Sequence, residues 1–256
     1  MLISGRTSIE NRPLFTIGLE STRPSLSVVI PTYNESQNIS NLITALEDLL
    51  RQVNFEIVVV DDNSPDGTKK IVESLNVQYG NIKIFQRSGK LGLGSAVLYG
   101  FERADAKILA VMDADMQHPP EILPKMYAKI SQGNDLVVAS RYVDGGGFGH
   151  WSTRRMLISI GATLLAHLLF PSTRRIKDVM SGCFMLRSGA VNGACFSPIG
   201  FKVLLEILVK CKFNRVTEVP YIFRNRQNGK SNLSPKEMRS YLVHLYKIFF
   251  SRVTAE

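Results

Sequence analysis

Lys107-Ile-Leu-Ala-Val-Met-Asp-Ala-Asp-Met-Gln-His-Pro-Pro120 decides how the rest of the chain is to be read. Ile108 to Met112 form an uninterrupted apolar run, which fits a strand buried on both faces. The chemistry then changes within one residue, to Asp113, Ala114, Asp115, Met116 and Gln117. Side chains alternate along an extended chain, so Asp113, Asp115 and Gln117 are expected to project to one side. Oxygen donors at the carboxyl end of a buried parallel strand lie where open α/β sheets take ligands. Mg²⁺ and Mn²⁺ favour such oxygens and share their shell with substrate phosphates. Taken alone, the stretch fits equally well two surface aspartates capping a helix that Pro119 and Pro120 begin.

The flanking sequence shifts that balance. Upstream, Leu26–Ile30 predicts a strand stopped by Pro31, and Phe55–Val60 a second strand running into Asp61 and Asp62. Between them Ile39, Leu42, Ile43, Leu46, Leu49, Leu50 and Val53 recur at helical spacing. Ile71, Val72 and Leu75 mark another helix, with Asp66 as its N-cap. A strand over Asn81–Arg87 and a helix through Ala96, Val97 and Phe101 precede the aspartates. A helix from Pro119 to Ser131 and a strand from Asp135 to Tyr142 follow them. Alternating strands and helices over residues 26–142 predict a parallel sheet covered on both faces. The polar clusters Tyr33–Glu35, Asp61–Asp62 and Asp113–Gln117 would then share one edge of the sheet and converge on one cleft.

The second half is less regular. It carries the loop Gly145–Gly149, closed by His150 and Trp151, then an apolar helix opened by Arg154 and Arg155 and ending before Pro171. Strands are expected over Ser181–Leu186 and Thr217–Arg226, with a helix over Phe201–Cys211 between them. A last amphipathic helix, Ser234–Arg252, places Met238, Tyr241, Leu242, Leu245, Ile248 and Phe249 on its apolar side. The expected organisation is a flexible leader over 1–24, one α/β domain over 25–233 and a C-terminal helix over 234–256 that docks on a membrane or a partner.

With 256 residues and 45% hydrophobic content the chain can bury a large core. A formal charge of +9 suits an anionic partner. No basic block interleaved with aromatics is present, so lipid or phosphorylated substrate is favoured over nucleic acid. Cys183, Cys195 and Cys211 lack CxxC spacing and are expected as reduced, buried thiols on the cytosolic side. No window offers the roughly 18 apolar residues of a membrane span. Ile158–Phe170 comes nearest. It is expected either as core or, given its flanking Arg and Lys residues, as an interfacial helix.

Gly89-Lys-Leu-Gly-Leu-Gly94 departs from both the P-loop and the dinucleotide-binding glycine patterns, and is read as a turn approaching the cleft. His118 and His150 lack ligand spacing and are expected at surface or loop positions. Arg141, just past a strand end, and Arg155, after the glycine loop, are candidates for gripping phosphate with a rigid fork of donors.

Four motifs together resemble family 2 glycosyltransferases of the GT-A fold. They are Val28-Val-Ile-Pro-Thr-Tyr-Asn-Glu35, Val60-Asp-Asp-Asn-Ser-Pro-Asp-Gly-Thr68, Met112-Asp-Ala-Asp-Met-Gln-His-Pro-Pro120 and Ser140-Arg-Tyr142. Trp151, Arg155, Asp178, Ser181-Gly182, Glu218-Val-Pro220, Arg226 and Gly229 narrow the likeness to polyprenol-phosphate (dolichol-phosphate) mannosyltransferases. The stretch Lys177–Tyr221 is most similar to archaeal members. The resemblance implies inverting transfer of mannose from GDP-mannose to a dolichyl or polyprenyl phosphate. By it, Pro31, Tyr33, Glu35, Val60 and Asp62 hold the guanosine part. Asp113, Asp115 and Gln117 hold Mg²⁺ or Mn²⁺ and, through it, the diphosphate, with Ala114, Arg141, Arg226 and Lys230 completing the donor site. Arg141, Arg155 and Ser159 receive the acceptor phosphate, and Asp113, Asp115, Arg141 and Arg155 form the catalytic group.

One departure stands out: Gly229-Lys-Ser-Asn232 lacks the family's usual lysine, with Lys230 two residues earlier. Many members carry C-terminal spans that this sequence does not show, so peripheral docking at the cytoplasmic membrane face, or an anchor borrowed from a membrane-spanning partner, is expected. Because an acceptor phosphate is already ionised, no general base is required, and catalysis rests on positioning and charge stabilisation. The rival functions are transfer of glucose or another sugar on the same scaffold, and a non-catalytic nucleotide-sugar-binding module.

Overall fold

The computed structural model describes residues 23–149, 151–197, 200, 202–224 and 235–253. The first half alternates as expected: β1 (Leu26–Thr32), α1 (Ile39–Leu50), β2 (Phe55–Asp61), α2 (Thr68–Tyr79), β3 (Ile82–Gln86), α3 (Leu93–Phe101), β4 (Ile108–Val111), α4 (Ile122–Ser131) and β5 (Leu136–Ser140). The second half adds α5 (Thr153–Leu169), a 3₁₀ turn at Pro171–Arg175, β6 (Phe184–Arg187), α6 (Val203–Lys210), β7 (Val216–Pro220) and α7 (Pro235–Val253). The seven strands form one sheet in the order β3-β2-β1-β4-β6-β5-β7. Only β6 runs against its neighbours, wedged between β4 and β5.

Alternation along the strands divides the core between the two faces. Leu26, Val28 and Ile30 of β1 join α1, α2 and α4 on one face, while Val29 meets Ala96 of α3 on the other. A second large cluster packs α5, α6 and α7 against β4, β5 and β6 through Phe170, Leu205, Leu245 and Phe184. Helix α3 lies so close to the sheet that a Cβ on Gly100 would collide with Val29.

Several local expectations need correction. β1 does not stop at Pro31 but pairs with β2 as far as Thr32↔Asp61. The missing Pro31 N–H costs nothing because the ladder to β4 on that side has already ended at Val29↔Val111. Helix α4 begins at Ile122 rather than Pro119. A proline disfavours helical backbone in the residue before it, and the Pro119 and Pro120 carbonyls accept the first helical N–H groups from outside the helix. The cap of α2 falls at Gly67, although the Asp66 carboxylate does accept from the Thr68 N–H at 3.1 Å.

α7 is not divided as the sequence suggested. Tyr241, Leu245 and Ile248 face the protein, whereas Met238, Leu242 and Phe249 are exposed beside Tyr246 and Phe250. A buried polar contact, His244 Nε2 to Glu206 of α6, fixes that rotation. Among the thiols only Cys183 is buried; Cys195 is exposed, and all three are free.

Candidate active site

A cleft of about 1150 Å³ opens over the carboxyl ends of β1, β2 and β4 and continues to the space between α5 and α7. Its first end is lined by Pro31, Tyr33, Glu35, Asn38, Asp62 and Lys90. Here carboxylates hold loops together. Asp61, fully buried, accepts from the Thr32 hydroxyl at 2.9 Å and from the Ser64 N–H at 2.8 Å, joining the segments after β1 and β2. Glu35 accepts from Asn38 Nδ2 at 2.7 Å, and its own N–H donates to Thr68 Oγ1. Asp62 takes Arg87 Nε on one oxygen and the N–H groups of Leu91 and Gly92 on the other. Val60, expected beside the guanosine, lies with its side chain in the core against Val29, Val58 and Ala96, and is not part of the cleft lining. Residues alternate across the sheet, and Val60 points to the α3 face.

Asp113, Ala114, Asp115 and Gln117 form the middle of the cleft. They are brought together by a turn, not by the extended alternation the sequence suggested. Met116 adopts a left-handed φ of 60°, and Asp115 Oδ1 accepts from the Gln117 N–H at 3.1 Å. Gly182, at the approach to β6, keeps the flank of Asp113 open; a Cβ there would stand 2.6 Å from Asp113 Oδ2. Among the described residues no group of three His, Cys, Asp or Glu side chains forms a metal cage by itself. Two carboxylates and an amide oxygen on an open cleft instead fit an ion that completes its shell with water and substrate phosphate, the habit of Mg²⁺.

His118 is buried, contrary to expectation, because Tyr221 and Phe223 from the segment after β7 close over it. Burial, reinforced by the Arg141 charge, lowers its pKa to about 3, so the imidazole is neutral. The same segment is tied to the turn by Arg224 N–H donating to the Gln117 carbonyl at 2.9 Å.

At the far end stand Arg141, Trp151, Arg155 and Ser159. The Arg141 fork is held by Asp178: Nε to Oδ2 at 2.8 Å and Nη2 to Oδ1 at 2.6 Å, with the Arg141 N–H on the same carboxylate. Burial opposes the Arg141 charge, but the hydrogen bonds and charge of Asp178 outweigh it and raise the pKa. Glu218 of β7 secures Asp178 in turn, accepting from the Lys177 and Asp178 N–H groups. Arg155, one turn into α5, stacks on Trp151 at 4.0 Å, and its Nε has no hydrogen-bond partner among the described residues. Burial and the Arg141 charge lower its pKa, with Asp115 acting against them. Ser159 accepts from the Tyr142 hydroxyl at 2.9 Å.

The structure thus brings Pro31, Tyr33, Glu35, Asp62, Asp113, Ala114, Asp115, Gln117, Arg141, Arg155 and Ser159 to one cleft. Arg226, Lys230 and His150 lie outside the described residues. Lys202 also lines the cleft, donating to the Met180 carbonyl at 3.0 Å, and sequence reasoning passed it over. It sits in an irregular segment before α6 with no pattern to single it out.

The chain is similar to known proteins in sequence and in fold. Residues 27–193 match the model of Glycosyl transferase family 2. A dolichol-phosphate mannosyltransferase of Pyrococcus furiosus is 45% identical over 87% of this chain and 63% of that protein. The chain therefore spans somewhat less than two thirds of that relative's length. A dolichol-phosphate mannosyltransferase of Mycosarcoma maydis is 36% identical over 91% of this chain and 83% of its own. One of Saccharomyces cerevisiae is 35% identical over 87% and 86%. Among solved structures, glucosyl-3-phosphoglycerate synthase of Mycobacterium tuberculosis, in complex with Mn²⁺, UDP-glucose and phosphoglyceric acid, superposes with a TM-score of 0.65 at 20% identity, covering 90% of this chain and 79% of that one. The same enzyme with Mg²⁺ and UDP gives 0.66. At that identity the likeness speaks for the fold, a GT-A arrangement.

Proposed function

This chain belongs to glycosyl transferase family 2, and on that premise we propose that it transfers mannose from GDP-mannose to a dolichyl or polyprenyl phosphate, inverting the anomeric centre. The observation that carries the reading is the order of groups along one cleft. A pocket with an aromatic ring and a carboxylate comes first, then a hard-oxygen turn, then two arginines, then an apolar trough between two helices. That is the order of base, diphosphate, reacting sugar with acceptor phosphate, and lipid tail. The similarity to dolichol-phosphate mannosyltransferases supports mannose as the sugar and dolichyl phosphate as the acceptor.

In this reading Tyr33 and Glu35 hold the guanosine, and Asp113, Asp115 and Gln117 hold a divalent ion, Mg²⁺ or Mn²⁺. When bound, that ion supplies neutralisation of the charge growing on the departing diphosphate. The chain's own work is positioning. Asp178 keeps Arg141 flat and charged, and Arg155, stacked on Trp151 in the cleft wall, adds a second guanidinium beside it. Together they orient one phosphate oxygen of the acceptor for attack on the anomeric carbon. The bond from that carbon to the diphosphate breaks, and GDP leaves with the electron pair. Since the nucleophile is already an anion, neutral His118 is not required as a base.

No helix among the described residues is long and apolar enough to cross a membrane. Exposed Leu157, Leu164 and Leu168 on α5, and Leu242, Tyr246 and Phe250 on α7, instead support peripheral contact with a lipid surface, on the cytoplasmic face and with or without a membrane-spanning partner. The test is to incubate the protein with each labelled nucleotide sugar, a polyprenyl phosphate and Mg²⁺ or Mn²⁺, and to count label in the organic phase. Label from GDP-mannose alone is expected, abolished by chelator. Transfer from UDP-glucose in its place, or tight GDP binding with no transfer, overturns the assignment.

A further inference from the structure

We propose that Tyr142 is a positioning residue for the acceptor phosphate: its hydroxyl clasps Ser159, which holds helix α5 in register with Arg141 and leaves the serine proton for a phosphate oxygen. The inference rests on reading the arginine end of the cleft as the acceptor site, and gives a role to a residue that the reaction scheme leaves without one.

The clasp joins two elements that share no backbone ladder. Arg141 and Tyr142 follow the last residue of β5, Ser140, whereas Arg155 and Ser159 lie one turn apart on the same face of α5. Arg141, Arg155 and Ser159 line the cleft; Tyr142 does not. Behind them the Tyr142 and Ser159 hydroxyls meet at 2.9 Å. The ring of Tyr142 is set by the protein alone. It stands edge-on to Phe148, with centroids 5.1 Å apart, and the Tyr142 N–H donates to Ser140 Oγ at 3.3 Å. Such a tie is needed because the site collects like charges. Burial and then the Arg141 charge lower the Arg155 pKa, so the two guanidinium groups repel unless an anion lies between them. Asp178 holds Arg141 on its side, and the Tyr142 hydroxyl holds the helix that carries Arg155 on the other.

The direction of the hydrogen bond follows from acidity. A phenol, with a pKa of about 10, is a far stronger acid than an aliphatic alcohol and so the better donor. Tyr142 therefore donates and Ser159 Oγ accepts, which leaves the serine's own proton to be given elsewhere. A serine inside a helix often gives it to the carbonyl one turn back. Among the described residues the Ser159 hydroxyl has no such acceptor, and the cleft that it lines is where the proton can go. A hydroxyl that already accepts is also a stronger donor, since linked hydrogen bonds polarise one another. The phenol thus acts on the acceptor phosphate twice without touching it, once through the serine proton and once through the placement of Arg155.

The experiment is steady-state transfer from GDP-mannose to a polyprenyl phosphate by wild type, Tyr142→Phe, Ser159→Ala, Ser159→Thr and the Tyr142→Phe/Ser159→Ala double variant. GDP is titrated calorimetrically into each with Mg²⁺. Tyr142→Phe keeps the ring and its contact with Phe148 and loses only the hydroxyl. It should raise the KM for polyprenyl phosphate about fivefold, the loss of one hydrogen bond, while GDP affinity and the KM for GDP-mannose hold. Inhibition by butyl phosphate, which has the headgroup but almost no tail, should weaken by the same factor. The double variant should be no worse than Ser159→Ala, since the phenol acts through the serine, and Ser159→Thr should keep most of the acceptor affinity. An unchanged KM in Tyr142→Phe, losses that multiply in the double variant, or a fall in GDP affinity with acceptor dependence intact overturns the proposal. If Tyr142→Phe does not fold, a wild-type KM in Ser159→Ala overturns it equally. If the wild type transfers to no polyprenyl phosphate, the acceptor reading fails, and hydrogen exchange over 153–160 decides the clasp alone: faster exchange in Tyr142→Phe upholds it, and unchanged exchange overturns it.

Discussion

The two ends of the cleft are assembled by opposite means. At the nucleotide end acidic residues act on backbone: Asp61, Asp62 and Asp66 accept from N–H groups of loops that follow nearby strands. At the acceptor end basic residues act on side chains, Asp178 coming from 37 residues beyond Arg141 and Trp151 from just before Arg155. Arg141 meets Asp178, and Arg155 lies on Trp151 within a shell that Phe223 completes. Acids that tie one strand-end loop to its neighbour can be placed by the strands alone. Arginines that must stay charged in an apolar shell need a partner carboxylate and aromatic faces, and Asp178 before β6 and Phe223 after β7 complete what Trp151 begins. The difference teaches that one half of the site is templated by the sheet, and the other is templated by packing.

The largest effect expected falls on the seam between the ends. Asp115→Asn removes a carboxylate charge but almost no volume, and should lower turnover about a thousandfold, roughly 4 kcal/mol of barrier, with melting temperature preserved. Near wild-type turnover at saturating metal would remove Asp115 from the ion site. A smaller effect should divide the ends. Arg155→Lys keeps the charge and loses the fork, so the KM for polyprenyl phosphate should rise about tenfold while calorimetric GDP affinity holds. Loss of GDP affinity with unchanged acceptor dependence would move Arg155 to the nucleotide end and blur the comparison. The smallest concerns the lipid side. Arg154 and Arg174 are exposed at the two ends of α5, and each should contribute about 1 kcal/mol to attraction by anionic vesicles. Flotation of the Arg154→Gln/Arg174→Gln variant at low and high salt should show weaker binding at low salt only; identical flotation of variant and wild type would deny α5 that role.

The templated half was legible in the sequence; of the packed half, Arg141, Arg155 and Ser159 were named but the contacts that hold them were not. Apolar runs at Leu26–Ile30, Phe55–Val60 and Ile108–Met112 announce buried strands, and acids directly after them can only gather at the carboxyl edge. Even there the reading erred in detail. Period-two alternation implied an extended Asp113–Gln117, but Met116 turns the chain, since the segment has left the ladder at Val111 and must bend toward α4. Val60 belongs to the core for the same period-two reason that places its neighbours Asp61 and Asp62 where they are. At the packed end, nothing local tells that His118 will be covered by Tyr221 and Phe223, or that Arg141 will be pinned by Asp178, because spatial neighbours there share no sequence period. On α7, apolar residues all round the helix hid which of them face inward until His244 met Glu206.

The reversed strand β6 also sets an order of assembly. As the chain leaves the ribosome, β1, β2, β3 and β4 can close into a sheet with α1, α2 and α3, and the nucleotide end exists. The outer edge of β4, with Leu109 and Val111 on it, has no neighbour until Phe184–Arg187 is made, and β5 waits for three of the same residues, Phe184 to Leu186. Non-local pairing of this kind is slow, and an uncovered apolar edge is a template for other chains. A nascent or truncated chain ending between β5 and β6 therefore exposes two sticky edges at once. The C-terminal third turns both of those edges into interior pairings and leaves β3 and β7 as the borders of the finished sheet.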